Sequence, residues 1–212
     1  MSLDPAAFAS RAIYSDIYPL DEFYAERGAP LPAIGRVEAA ALPEPYRALL
    51  AHDGDMTSRL ENFHKAKIHI RLLARRAGEH GYFREVVLRL EGSETPVEFG
   101  AIKIMIDLFP AEAREEILQE RRPLGQILTA YDVGFRSQPR AFLRLETDAF
   151  IKGALQLDET HFLYGRRNTL VDPWGRPLAE IVEILPPTAA KRPVAAAVQA
   201  SPSQSFPIVI LP

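Results

Sequence analysis

The apolar positions of residues 43–187 repeat with two periods, one typical of strands and one typical of helices. An apolar residue at every second position predicts a strand, and an apolar stripe at three- and four-residue spacing predicts a helix. Six strands are predicted, over residues 68–73, 82–90, 97–108, 140–146, 155–164 and 178–185. Helices are predicted over residues 43–51, 55–64, 110–121 and 123–128. Short turns join the first three strands, which indicates an antiparallel sheet because parallel strands need longer crossovers.

The two ends of the chain differ in composition from its middle. Residues 1–42 contain closely spaced prolines, which predicts an irregular lead-in over the domain surface. Residues 188–212 are rich in alanine, proline, serine and valine, which predicts a tail outside the core, with an apolar end that suits packing on the body or on a partner. The expected fold is a single α+β domain over residues 43–187, with a six-stranded, largely antiparallel sheet and flanking helices.

Composition excludes several classes of function. The 212 residues are 47% hydrophobic and 25% charged, which is typical of one globular domain. The net charge of −3 gives no general attraction for nucleic acid or an anionic membrane. The chain has no cysteine, so disulfides and thiolate metal sites are excluded. We expect a cytoplasmic protein, because no secretory signal and no apolar run of the roughly 18 residues that a membrane span needs is visible.

No cofactor or metal is expected from the motifs. The five histidines have no metal-binding spacing, and neither a phosphate-binding loop nor a glycine-rich dinucleotide motif is present. The sequence leaves the oligomeric state open. The remaining chemistry lies in charged residues on apolar strand faces, which point to a pocket for a small anion.

Arg84 is the first such residue. In the predicted strand over residues 82–90 it shares a face with Val86 and Leu88. An arginine on an apolar face is costly unless it meets an anion. That anion is either a carboxylate of a neighbouring strand or a bound ligand, and an arginine near a strand end can also extend to solvent.

Glu183 occupies a similar position near the end of the last predicted strand, on one face with Ile181 and Leu185. A desolvated carboxylate there suits proton transfer or a hydrogen bond to a hydroxyl group. Glu180 lies on the opposite face, and the pattern alone does not decide which face is buried. Either glutamate is otherwise a solvated surface residue.

Arg166 and Arg167 follow the apolar residues 162–164, at the predicted end of a strand. The planar guanidinium group of arginine binds a carboxylate through two parallel hydrogen bonds. The pair is therefore either an anion-binding element or surface charge at a turn.

Five segments, taken in order, resemble the chorismate lyase family over about residues 45–187. They are Asp55-Met56-Thr57-Ser58-Arg59-Leu60-Glu61, Phe83-Arg84-Glu85-Val86-Val87-Leu88, Arg122-Pro123-Leu124-Gly125-Gln126-Ile127-Leu128, Tyr164-Gly165-Arg166-Arg167-Asn168 and Glu183-Ile184-Leu185-Pro186-Pro187. The resemblance implies a six-stranded antiparallel sheet with a closed ligand site under flaps. It also implies removal of pyruvate from chorismate to give 4-hydroxybenzoate, without metal or organic cofactor.

The resemblance assigns roles residue by residue. Arg84 would bind the ring carboxylate, and Glu183 would meet the hydroxyl or ether oxygen at the other end of the substrate. Flap contacts with substrate or product would come from Met56, Thr57, Leu124 and Gly125. The second carboxylate of chorismate would be met by Arg166 and Arg167.

Two alternatives remain. Related folds serve as small-molecule sensor domains of transcription regulators, so the chain could be a non-catalytic binding domain for an aromatic carboxylate. The other alternative is an enzyme related to the chorismate lyase family that makes a different hydroxybenzoate. We expect no DNA-binding helix-turn-helix ahead of the domain, because residues 1–42 are too rich in proline. Arg84 and Glu183 in one pocket would favour the enzyme.

Overall fold

The computed structural model describes residues 16–78 and 81–188. Residues 1–15 of the predicted lead-in and residues 189–212 of the predicted tail lie outside the described residues. Seven strands are present in the described part: β1 (Ile34–Val37), β2 (Ile68–Gly78), β3 (Gly81–Leu90), β4 (Pro96–Ile104), β5 (Arg136–Glu146), β6 (Phe162–Val171) and β7 (Pro177–Leu185). They form one antiparallel sheet in the order β1-β5-β6-β7-β4-β3-β2.

Six α-helices accompany the sheet in the described residues: α1 (Leu20–Glu26), α2 (Tyr46–Leu50), α3 (Met56–His64), α4 (Ala111–Gln119), α5 (Leu124–Ala130) and α6 (Ala149–Ala154). Asp55 caps α3, because its carboxylate accepts a hydrogen bond of 2.7 Å from the Ser58 backbone N–H. None of these helices has the length and apolar character needed to cross a bilayer. The predicted α+β class with an antiparallel sheet is confirmed.

Helices cover both faces of the sheet. On one face, α1 and α6 pack on the odd-numbered side chains of β3, such as Phe83 and Val87. On the other face, α4 and α5 cover one apolar cluster and α2 and α3 cover a second. Along β3, Tyr82 belongs to the first of these two clusters and Val86 to the second. Arg84 lies between them, so the polar site occupies the gap between two apolar clusters.

The sheet has seven strands instead of the predicted six, because the segment predicted as an irregular lead-in contains α1 and β1. The strand β1 is four residues long and pairs with β5, with Ile34 opposite Leu145. It includes Gly35 and the exposed Arg36, so it shows no apolar alternation. An edge strand of this length depends on its pairing partner, which local sequence does not reveal.

Two further boundaries were wrong. The strand predicted over residues 155–164 is β6, which runs over Phe162–Val171, and α6 precedes it. Leu155 and Leu157 pack beside α6 in the core, so their apolar character reflects a helix end and a loop. The strand predicted over residues 97–108 ends at Ile104 and is followed by a 3₁₀ turn at Ile106–Leu108.

Candidate functional site

A cavity of about 60 Å³ lies between the sheet and the first turns of α3 and α5. Its floor is formed by β2, β3, β4, β6 and β7. Its cover is formed by residues 55–57 and residues 123–125, which we call the flaps. Six of the eight residues predicted for the site line this cavity: Arg84, Glu183, Met56, Thr57, Leu124 and Gly125.

Arg84 is the only arginine among the cavity-lining residues of the described chain, and it is 2% exposed. Its neighbours on the same face of β3 are Val86 and Leu88, as predicted. The Nε and Nη1 atoms are buried and have no hydrogen-bond partner within residues 16–78 and 81–188. Burial lowers the pKa of Arg84 to about 10, so the guanidinium group remains cationic at neutral pH.

Glu120 is the carboxylate whose charge acts on Arg84, but its oxygens bind other groups. Glu120 accepts a hydrogen bond from the Tyr82 hydroxyl and another of 2.7 Å from Arg75. In the described chain Arg84 forms no salt bridge, so the interpretation as a structural ion pair finds no support there. A buried, unpaired cation is destabilising, and an anionic ligand is the species that would compensate for it.

Glu183 is 4% exposed and faces the cavity, whereas Glu180 lies on the other side of the sheet. The Nε of the fully buried Arg166 donates a hydrogen bond to Glu183. The Nη1 of the same guanidinium group donates to the backbone oxygens of Leu50 and His52, at 2.9 Å and 3.1 Å. Arg166 therefore joins the segment ahead of α3 to the middle of the sheet.

The prediction that Arg166 and Arg167 lie together at a strand end was wrong. Both are within β6, where neighbouring side chains point to opposite faces of the sheet. Arg166 lies beneath the cavity next to Glu183, and Arg167 forms a salt bridge with Glu180 on the far face. Because Arg167 is on the face covered by α1 and α6, it does not reach the site.

Glu98 is a site residue that the sequence analysis missed. It lies on β4, lines the cavity and is 5% exposed, and its Oε2 has no hydrogen-bond partner in the described part of the chain. Burial raises the pKa of Glu98 well above its usual range, and the neighbouring Glu183 raises it further. Burial thus favours the uncharged form of Glu98. Its alternation with Gly100 and Ile102 was a visible signal, of the same kind as that of Arg84.

Asn168 completes the polar lining. Its Oδ1 accepts a hydrogen bond of 3.0 Å from the Ser137 hydroxyl, whereas its Nδ2 is buried without a partner among the described residues. No group of three histidine, aspartate or glutamate side chains suited to a metal ion occurs in the described part. The site thus offers several polar groups that lack partners, within largely apolar walls.

The cavity is smaller than a ring-bearing ligand requires. An apolar cavity of about 150 Å³ accommodates benzene, and this one measures about 60 Å³. Binding of a ring therefore requires the flaps to move away from the sheet. Their contact is tight at Gly125, where a Cβ atom would lie 2.5 Å from Asp55 Oδ1 and 3.1 Å from Thr57 Oγ1.

Substituting Gly125 with alanine should therefore force the flaps apart. We expect a loss of about 1–3 kcal/mol in the free energy of unfolding, the usual cost of overpacking, measured by urea denaturation. Gly153 in α6 is the control, because nothing lies within 4 Å of a Cβ built there. The Gly153→Ala variant should be unchanged or more stable by up to about 1 kcal/mol. Equal effects of the two substitutions would contradict the close contact at Gly125.

No known family profile matches this chain, and no curated protein matches it. Several solved structures do match this chain. PhnF from Mycobacterium smegmatis matches with a TM-score of 0.49 and 15% identity, over 62% of this chain and 63% of that chain. The effector domain of PhnF from the same organism matches with a TM-score of 0.48 and 13% identity, over 62% and 88%. A GntR-family transcriptional regulator from Bacillus cereus matches with a TM-score of 0.43 and 14% identity, over 68% and 99%. Likenesses of this degree carry no argument about what the chain binds.

Proposed function

We propose that the cavity binds a small molecule with one carboxylate on a flat, ring-shaped body, and that Arg84 binds this carboxylate. The observation that carries the proposal is the burial of the Arg84 guanidinium group with two nitrogen atoms, Nε and Nη1, that lack hydrogen-bond partners among the described residues. A guanidinium fork matches a carboxylate geometrically, and the apolar surroundings strengthen their attraction.

The charges around the cavity support a monoanionic ligand. Arg166 is paired with Glu183, whereas Arg84 has no partner among the described residues. Burial raises the pKa of Glu98, which favours its uncharged form. Arg84 is thus the charge left to be neutralised, and a single carboxylate does so. Val86, Leu88, Ile102 and Leu124 supply apolar surface for a ring. We also propose a cytoplasmic location, which the absence of cysteine supports.

Isothermal titration calorimetry with benzoate, 4-hydroxybenzoate and benzamide tests this proposal. Benzamide has the shape of benzoate without its charge, so it cannot neutralise Arg84. We expect it to bind at least about 30-fold more weakly than the better carboxylate, the usual consequence of leaving a buried charge unpaired. Equal affinity for benzamide and benzoate, or binding of none of the three, would refute the proposal.

A second candidate is the elimination of pyruvate from chorismate, the reaction that the family resemblance implies. It is favoured by the presence of Arg84, Glu183 and Glu98 around one cavity. In this reaction the ring loses a proton next to the carbon that carries the ether oxygen. The C–O bond then breaks, the ring becomes aromatic, and the enolpyruvate is protonated to pyruvate. Glu183 would accept the proton, and Arg84 would hold the ring carboxylate.

The dianionic charge of chorismate distinguishes it from the aromatic product. Its second carboxylate would have to be met by Arg166 Nη2, which is buried and has no partner in the described chain. Incubation with chorismate, with pyruvate measured through lactate dehydrogenase, tests this candidate. We expect the parent protein to release pyruvate faster than the spontaneous rate, and the Arg84→Met variant to release it only at the spontaneous rate. If the parent protein releases pyruvate only at the spontaneous rate, this candidate is refuted and the function is that of a non-catalytic binding domain.

A further inference from the structure

We infer that Glu98 recognises an uncharged oxygen on the ligand, so that the cavity prefers hydroxylated ring carboxylates over unsubstituted ones. The inference rests on the proposed function, since it supposes that Arg84 holds the carboxylate. It assigns to Glu98 a role that the family resemblance gave to Glu183 alone.

The register of β3 and β4 places Glu98 at the opposite end of the cavity floor from Arg84. Leu88 is paired with Glu98 and Arg84 with Ile102, so the two charged positions are four residues apart along the strands. This separation is about 13 Å at the backbone, and both side chains extend into the cavity that lies between them. A ring held at one end through its carboxylate thus presents its far side to Glu98.

Gly100 makes room for the Glu98 carboxyl group between these two ends. A Cβ atom at this position would lie 3.0 Å from Glu98 Oε1 and 3.8 Å from Val86 Cγ2. The missing side chain therefore lets the Glu98 carboxyl group lie against the strand backbone on the cavity floor. A ring bound above the floor can bring a substituent into contact with Glu98.

Glu98 and Glu183 differ in the hydrogen bonds that they can form. Glu183 accepts a hydrogen bond from the Arg166 guanidinium group. Burial and the proximity of Glu183 raise the pKa of Glu98, which favours the protonated form, and that form can donate a hydrogen bond. Gly100 lies directly opposite Glu183 in the sheet register, which places the two carboxyl groups side by side on the floor. An oxygen between them would accept from Glu98 and, if it is a hydroxyl, donate to Glu183.

This pair predicts an order of ligand substituents. A hydroxyl group satisfies both carboxyl groups, whereas a hydrogen atom satisfies neither and leaves the buried donor unpaired. We expect the better of 3-hydroxybenzoate and 4-hydroxybenzoate to bind at least about tenfold more tightly than benzoate, since a site that hydrogen-bonds a hydroxyl rejects an analogue without one.

The test is calorimetry with these three ligands on the full chain and three variants. Glu98→Leu should lose the preference for a hydroxyl group, so that the ratio of hydroxybenzoate to benzoate affinity falls to about one. Glu98→Gln retains an N–H donor and should keep most of that preference, which a purely structural role would not require. Glu180→Gln is the control on the opposite face and should leave the preference unchanged.

The outcomes separate this inference from the proposed function. If the parent binds benzoate and both hydroxybenzoates equally, the role of Glu98 is refuted and carboxylate binding stands. If the parent binds none of the three, the proposed function is refuted and the role of Glu98 with it. The relative affinities of the parent for benzoate and the hydroxybenzoates test the inference even if Glu98→Leu does not fold. If Glu98→Leu folds and keeps the preference for a hydroxyl group, the inference is overturned.

Discussion

Replacing Arg84 with methionine is expected to abolish carboxylate binding and to stabilise the folded protein. Methionine keeps the unbranched apolar stem and removes a buried charge that has no partner in the described chain. Replacing even a buried ion pair with apolar side chains of similar size is neutral or stabilising by about 1–4 kcal/mol, and an unpaired charge has no ion-pair attraction to lose. Ligand affinity should fall by about 2–5 kcal/mol, or about 30-fold to several thousandfold. Urea denaturation and calorimetry measure the two effects separately.

Arg89→Met is the matched control for this experiment. Arg89 lies on the same strand, is also buried, and faces the other side of the sheet, where Glu94 lies 3.8 Å away. Its substitution should leave ligand affinity unchanged. A marked loss of stability in Arg84→Met would show that the guanidinium group has a structural partner. Unchanged ligand affinity in Arg84→Met would remove the basis of the proposed function.

A gain in stability together with a loss of binding would identify Arg84 as a residue retained for function. Consistency between sequence and fold is expected to fail mainly at functional sites. An alternation pattern was sufficient to single out Arg84 as a candidate, because one charged residue interrupts a face of its strand that is otherwise apolar. In the last strand alternation left Glu180 and Glu183 open, and only the family resemblance favoured Glu183.

The same reasoning could have found Glu98 and could not have placed Arg166. Glu98 interrupts an apolar face of β4 in the same manner as Arg84. In β6 four consecutive polar residues, from Arg166 to Thr169, are buried, so no alternation of apolar and polar residues marks the strand. Their burial depends on partners in other strands, such as Glu183 for Arg166 and Glu180 for Arg167. Local sequence contains no information about that register.

The order of the strands is the other feature that local pattern could not supply. Short turns correctly indicated that β2, β3 and β4 form an antiparallel meander. The pairing of β4 with β7 joins strands that are distant in sequence, and it places Gly100 opposite Glu183. The cavity floor spans this junction. The residues of the site could therefore be proposed one at a time, and only the sheet order shows that they share a cavity.

Replacing Arg166 with methionine should have the largest effect on stability of any substitution in the site. The change deprives the buried Glu183 of the guanidinium group that donates to it, and it removes the hydrogen bonds to the backbone oxygens of Leu50 and His52. Breaking a buried ion pair from one side costs about 3–5 kcal/mol. We expect a loss of this size in the free energy of unfolding by urea denaturation.

A second substitution separates the charge effect from the lost backbone hydrogen bonds. In the double variant Arg166→Met/Glu183→Leu the uncompensated carboxylate is gone, so part of the lost stability should return. Arg167→Met, in which the salt bridge on the opposite face is removed, is the control and should cost less, because water reaches that pair at its margin. If Arg166→Met is no less stable than Arg167→Met, Arg166 does not hold the floor of the cavity to the segment ahead of α3. If the double variant regains no stability, the loss caused by Arg166→Met comes from the missing hydrogen bonds to backbone oxygens. The charge of Arg166 beside Glu183 then does not contribute to stability.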